Sequence, residues 1–202
     1  MRSRKIQLNQ LSLSLSYNYR RLCDDFLELK KNKVFLLVLS IGFILRLIHI
    51  SQPIKGDEAT TFLAYVEPIN PLRVFIYTHP NNHIFHTLLV KISTLFFGNS
   101  LIVLRLPAFF ASLGIIYFTY AICKKFGQNG IFAAINASIW PYLIAYANNS
   151  RGYSLLCFLS LFLVYIYLNV RSNLNNSNII ILSFISSLGL FTMPTFLILI
   201  IA

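Results

Sequence analysis

The chain has 202 residues, of which 56% are hydrophobic, 15% aromatic and only 11% charged, against about 25% charged in an average soluble domain. So little charge argues against an ordinary water-soluble enzyme and describes a membrane protein. The net charge of +11 does not signal nucleic acid, because Arg2, Arg4, Lys5, Arg20, Arg21, Lys30, Lys31 and Lys33 all precede the first apolar run, as in a cytoplasmic segment.

Residues 1–33 read as a basic cytoplasmic tail in which Asp24, Asp25 and Glu28 balance lysines. Within it "LSLSLSY" alternates in period two over too short a stretch to assign. Apolar runs follow at 34–50, 106–123, 131–147, 153–170 and 179–202, each near the ~20 residues that cross a ~30 Å hydrocarbon core. The pattern predicts an all-α membrane protein over 34–202 with about five transmembrane helices. The first run starts late and lacks a small-x-small cleavage site, so it reads as a retained anchor.

Between the first two runs, "HPNNHIFHTLLVKISTLFFG" at 79–98 has Lys91 in its middle. Crossing the bilayer would cost that lysine roughly 2.5–3.5 kcal/mol. An interfacial juxtamembrane helix avoids the cost: Phe85, Leu88, Leu89, Ile92, Leu95 and Phe96 recur at helical spacing, and Lys91 is expected to snorkel to water. With the amino terminus cytoplasmic, Lys124, Lys125 and Arg171 face the cytoplasm. Asp57, Glu58, Glu67, His79, His83, His86, Arg105 and Arg151 then share the outer side.

Several side chains there carry chemistry, each with a plainer alternative. The Asp57–Glu58 pair suits a general base, a metal ligand or an arginine partner, or is a solvated loop pair. His79, His83 and His86 form H-x3-H-x2-H, compatible with zinc if helical, although Pro80 opposes a helix through His79 and hydrogen bonding to substrate is the simpler role. Arg46 either snorkels or turns inward to pair with Asp57 or Glu58. Arg105 and Arg151 are interface anchors or a guanidinium clamp for phosphate. Cys23, Cys123 and Cys157 have no metal-like spacing.

Four stretches in order, "LRLIHISQPIKGDEA", "HPNNHIFHTLLVKISTLFFGNS", "LRLPAFFASLGIIYFTYAICKKFG" and "YANNSRGYSLL", resemble the amino-terminal half of the lipid-linked-sugar glycosyltransferases of the C-type membrane fold. That group includes protein O-mannosyltransferases and aminoarabinose transferases. The resemblance implies transfer of a sugar from a polyprenyl-phosphate donor to an acceptor hydroxyl on a glycan, lipid or protein, at the outer face of the cell membrane. It implies Asp57 as the catalytic base, with Glu58 orienting the acceptor or helping to hold a divalent metal ion. His79, His83, Arg105, Arg151 and Tyr153 are the implied substrate contacts.

This chain departs from the family pattern at His79-Pro80-Asn81-Asn82-His83, where many members have His-Pro-Pro, and at Asn148-Asn149-Ser150-Arg151, where many carry an acid. Family members usually continue for more spans, so the resemblance implies the amino-terminal portion of a longer enzyme. The rival expectations are a transporter fragment, a non-catalytic membrane subunit, or an inactive remnant of the same fold.

Overall fold

A computed structural model describes residues 16, 20, 23–25, 27, 28, 31–77, 81–172 and 174–201. His79 and most of the basic tail, including "LSLSLSY" apart from Ser16, lie outside the described residues. Among those described, every regular element is helical.

Helix α1 spans Lys33–His49 and is capped by Asn32, whose Oδ1 accepts from Phe35 N–H at 3.1 Å. A short α2, Gly56–Thr61, runs into a wide π turn at Phe62–Val66, and a 3-10 turn follows at Pro71–Phe75. Helix α3 is Ile84–Phe97 and α4 is Leu101–Lys125. Then come α5, Gly130–Ile139, α6, Pro141–Ala147, and α7, Tyr153–Val170. Helix α8, Asn176–Thr192, leads through a 3-10 turn at Pro194–Phe196 into α9, Leu197–Ile201.

Helix α4 is the central post. It packs against α1, α3, α5, α6 and α7, so it buries residues all round and shows no amphipathic stripe. It packs tightly against α7 at Gly114, where a Cβ would stand 2.5 Å from the Phe158 ring. Phe118 packs beside it against Phe158, Phe162 and Tyr165.

Helices α4 and α7 are long and apolar enough to cross a membrane, and α5 with α6 makes a third candidate if that bent pair is one span. This is the make-up of a membrane protein. The expected continuous run at 131–147 is bent by 60°. The cause is Pro141, which has no N–H and pushes Trp140 into extended geometry (φ −62°, ψ 118°).

The break explains Arg46, which is fully buried and turned inward without meeting either acid of α2. Its guanidinium donates to the carbonyls of Ala137 at 2.9 Å and Ser138 at 3.0 Å, to Gly42 O at 2.9 Å and to Ser112 Oγ at 2.7 Å. Carbonyls released at the end of α5 thus find donors, and the cation sits at the negative end of a helix dipole.

Lys91 also differs from expectation. It does not reach water: Nζ is buried and donates to Val66 O at 2.5 Å and Pro68 O at 2.7 Å. The polar stripe His86, Thr87, Lys91 and Thr94 of α3 therefore faces inward, while Leu95, Phe96 and Phe97 are exposed. Phe85 and Leu89 join an apolar cluster with Ala111, Leu155, Leu159 and Phe196. At 14 residues α3 is about 21 Å long, short of a full crossing.

At the opposite end of α4, Lys125 Nζ lies 3.3 Å from Asp25 and Lys124 Nζ 3.2 Å from Glu28. Asp25 and Glu28 thus pair with lysines of α4. Their contacts place Asp25 and Glu28 beside the carboxyl end of α4, at the other end of that helix from Arg105.

Candidate functional site

Glu58 organises one end of the bundle. It is the third residue of α2, so its carboxylate reaches back to accept from Lys55 N–H at 3.0 Å, half of a capping box. Arg105, one turn into α4, donates Nε–H to Glu58 Oε1 at 3.0 Å and Nη2–H to Oε2 at 2.8 Å. Ser150, in the turn between α6 and α7, gives its N–H to Oε1 at 2.5 Å. Burial pushes the Glu58 pKa up, but the Arg105 side chain and the two backbone N–H groups outweigh it and hold the carboxyl below its ordinary value.

Arg105 is fully buried, and all five of its N–H bonds are used. Besides Glu58 it donates to Ile50 O at 2.8 Å, Gln52 O at 2.7 Å and Pro53 O at 3.3 Å. Gln52 in turn donates to Asn148 O at 2.9 Å. The ion pair thus ties the segment after α1, α2, α4 and the α6–α7 turn together, leaving Arg105 no donor for a ligand.

The neighbours of these buried residues form a second pair, half open to solvent. Glu58 is bonded to Ser150, so the residues next to each, Asp57 and Arg151, are brought face to face. Arg151 Nη1 donates to Asp57 Oδ2, and the Asp57 side chain remains 57% exposed. Asn81 bridges them, donating to Asp57 Oδ1 at 3.2 Å and accepting from Arg151 Nη2 at 3.0 Å. The guanidinium also lies 5.1 Å from the Tyr153 ring centroid, which adds a cation–π contact.

His83 supports the turn that carries Arg151. Its Nδ1 accepts from Gly152 N–H at 2.7 Å, and its ring meets Tyr153 edge-on. A Cβ on Gly152 would come 2.9 Å from that imidazole. Burial, with help from the Arg151 charge, pushes the His83 pKa down to about 4. His86 is pushed down to about 3, by burial first and then by His83 and Arg151. Both imidazoles are therefore neutral near pH 7, as Nδ1 must be to accept a hydrogen bond.

Of the residues singled out in the sequence, Asp57, Glu58, His83, Arg105, Arg151 and Tyr153 gather at this end of the bundle; His79 lies outside the described residues. The grouping divides into an inner pair, Glu58 and Arg105, and an outer pair, Asp57 and Arg151. Asn81 and Ser150 are additional members. The only sequence sign of either is its position in a stretch where the family pattern changes, and Ser150 acts through its backbone N–H.

A metal ion does not fit this arrangement. Among the described residues no three His, Cys, Asp or Glu side chains converge as ligands, and both oxygens of Glu58 and Nδ1 of His83 are held by protein donors. The turn does keep buried polar atoms without a protein partner, namely Asn149 Oδ1, Arg151 Nε and Ser154 Oγ. Such atoms in a native fold call for water or a ligand.

The fold and the site together define an all-helical protein with two or three helices fit to span a membrane and a carboxylate–guanidinium pair at one end. No protein family, curated protein or solved structure matches the chain.

Proposed function

We propose that the protein transfers a sugar from a polyprenyl-phosphate donor to an acceptor hydroxyl at the outer membrane face, with Asp57 as general base. The observation that carries this reading is the Asp57–Arg151 pair, with Asp57 open to solvent and Arg151 largely covered, on a buried Glu58–Arg105 support. Inverting transfer needs a base and a cationic site for the leaving group. The acceptor oxygen attacks the anomeric carbon as Asp57 takes its proton; the bond from that carbon to the phosphate oxygen breaks, and the electron pair leaves with the lipid phosphate. Arg151 neutralises that phosphate and Tyr153 contacts the donor.

In this mechanism the resting ion pair is a latch. A donor phosphate competes with Asp57 for Arg151 and, on binding, leaves the carboxylate free for the acceptor proton. Glu58 and Arg105 position the two and touch no substrate. His83 holds the Gly152 turn.

For this chemistry α1, α4, the bent α5–α6 pair, α7 and α8 are read as five spans, with α3 at the outer interface and the amino terminus in the cytoplasm of a cell-membrane protein. Helices α1 and α8, at 17 residues each, sit at the lower limit of spanning length.

The test is transfer from a radiolabelled polyprenyl-phosphate sugar in membranes containing the protein. Arg151→Gln should raise the donor KM at least ten-fold while the protein remains folded; unchanged donor use would remove Arg151 from the donor site.

The bent α5–α6 pair, with Arg46 buried at its break, favours transport as a second reading, because transporters place substrate at broken helices. Here the freed carbonyls are already bonded to Arg46. Accumulation of solute in sealed vesicles that depends on Arg46 but not on Asp57 would select transport.

A further inference from the structure

The end of the bundle away from Asp57 has a second charged site with no part in sugar transfer. Arg105 and Lys125 are twenty residues apart on α4, about 30 Å along the axis, so the two ends are separated by the thickness of a hydrocarbon core. Two cavities open on either side of Lys125. One, of about 180 Å³, is bordered by Glu28, Tyr120 and Lys124. The other, of about 320 Å³, lies between the ends of α4 and α7 and is bordered by Phe126, Leu168, Asn169 and Arg171. Asp25 and Lys125 line both.

The wall between the cavities is an ion pair. Asp25 accepts from Lys125 Nζ at 3.3 Å and from the Tyr165 hydroxyl. The Lys125 ammonium also sits 4.6 Å from the centre of the Tyr165 ring. A carboxylate is therefore received at this place by a cation and a hydroxyl donor, the set that a phosphodiester oxygen would also meet. Arg171 is exposed and makes no ion pair among the described residues. Lys124, Lys125 and Arg171 outnumber Asp25 and Glu28, so the crevice keeps a net positive charge with the acids in place.

We propose that this crevice binds the headgroup of an anionic glycerophospholipid, with the phosphodiester held by Lys125 and Arg171. Phe126 and Leu168 provide an apolar border for the glycerol and upper acyl chain, and the site opens where a span ends, at the depth of headgroups. Basic pockets between spans on the cytoplasmic side suit such lipids. Asp25 is the internal competitor: it occupies Lys125 in the lipid-free protein and is displaced by the phosphodiester, which loosens the tail from α4. This inference does not depend on the sugar-transfer reading.

The test uses the whole protein in neutral detergent, titrated with short-chain phosphatidylglycerol, short-chain phosphatidylcholine or inorganic phosphate, with binding read as a saturable rise in thermal midpoint. Phosphatidylglycerol should bind saturably and phosphatidylcholine at least ten-fold more weakly. Arg171→Gln removes an exposed cation without disturbing a buried contact and should weaken phosphatidylglycerol about five-fold. Asp25→Asn should tighten it several-fold. Equal affinity for the two lipids, or no effect of Arg171→Gln, would overturn the proposal. Inorganic phosphate binding as tightly as the lipid would replace a lipid site by a free-anion site, and unchanged affinity in Asp25→Asn would remove the competitor role.

Discussion

One peptide bond separates Asp57 from Glu58, yet the first carboxylate is 57% exposed and the second 2%. Removing each should therefore have a different consequence. Glu58→Gln leaves the Arg105 guanidinium buried without a counter-charge and should cost about 3–5 kcal/mol, seen as a lower thermal midpoint in detergent. Arg105→Gln should do the same from the other side, whereas Arg151→Gln should change the midpoint much less, because the Asp57 carboxylate it leaves unpaired is open to water.

The histidine at the turn gives a pH test. Because the fold lowers the His83 pKa from 6.5 to about 4, its neutral form is favoured, and its contribution is complete above pH 6.5. That contribution is lost as pH falls from 6.5 through about 4 and amounts to roughly 3 kcal/mol. Glu58, held below its ordinary 4.5, adds a loss that starts only under that value. His83→Gln should flatten the thermal midpoint between pH 6.5 and 4; the part that remains belongs to His86 and, below pH 4.5, to Glu58.

At this scale the sequence marked Asp57 through the rarity of acids and the family resemblance. It could not mark the different fate of Glu58, which depends on Arg105 forty-seven residues away.

At the scale of elements, apolar length made most helices legible, because a run of some twenty apolar residues has few alternatives in lipid. Where a polar side chain inside a run decides the outcome, hydropathy says little. Lys91 reads as snorkelling and Arg46 as either snorkelling or pairing with an acid of α2, yet both are buried as donors to backbone carbonyls. Pro141 was visible in the sequence, but the 60° bend depends on Arg46 receiving the carbonyls that the break releases.

Lys91→Met keeps the length of the side chain and removes its donors. It should cost about 1–3 kcal/mol and speed hydrogen exchange at residues 62–70, while α4 and α7 stay protected. Uniform acceleration across all helices would mean that Lys91 supports the whole bundle and not the segment it touches.

For the whole molecule, α4 separates two charged ends, one holding Asp57 and Arg151 and the other Lys124, Lys125 and Arg171. Charge bias assigned the second group to the cytoplasm, and the contacts of Asp25 and Glu28 bring tail residues to that same end. In a background with Cys23, Cys123 and Cys157 replaced by serine, a cysteine at Ile69, which is 98% exposed, should react with an impermeant thiol reagent on intact cells. A cysteine at exposed Gln128 should react only after permeabilisation. The reverse pattern would put the Asp57 end in the cytoplasm.

The most direct measurement is single-turnover transfer from a radiolabelled polyprenyl-phosphate sugar by the parent protein and Asp57→Asn, at equal membrane abundance and matched thermal midpoint. The account predicts label in the acceptor with the parent and a loss of at least 10²-fold with Asp57→Asn. Transfer by Asp57→Asn at the parental rate would contradict it.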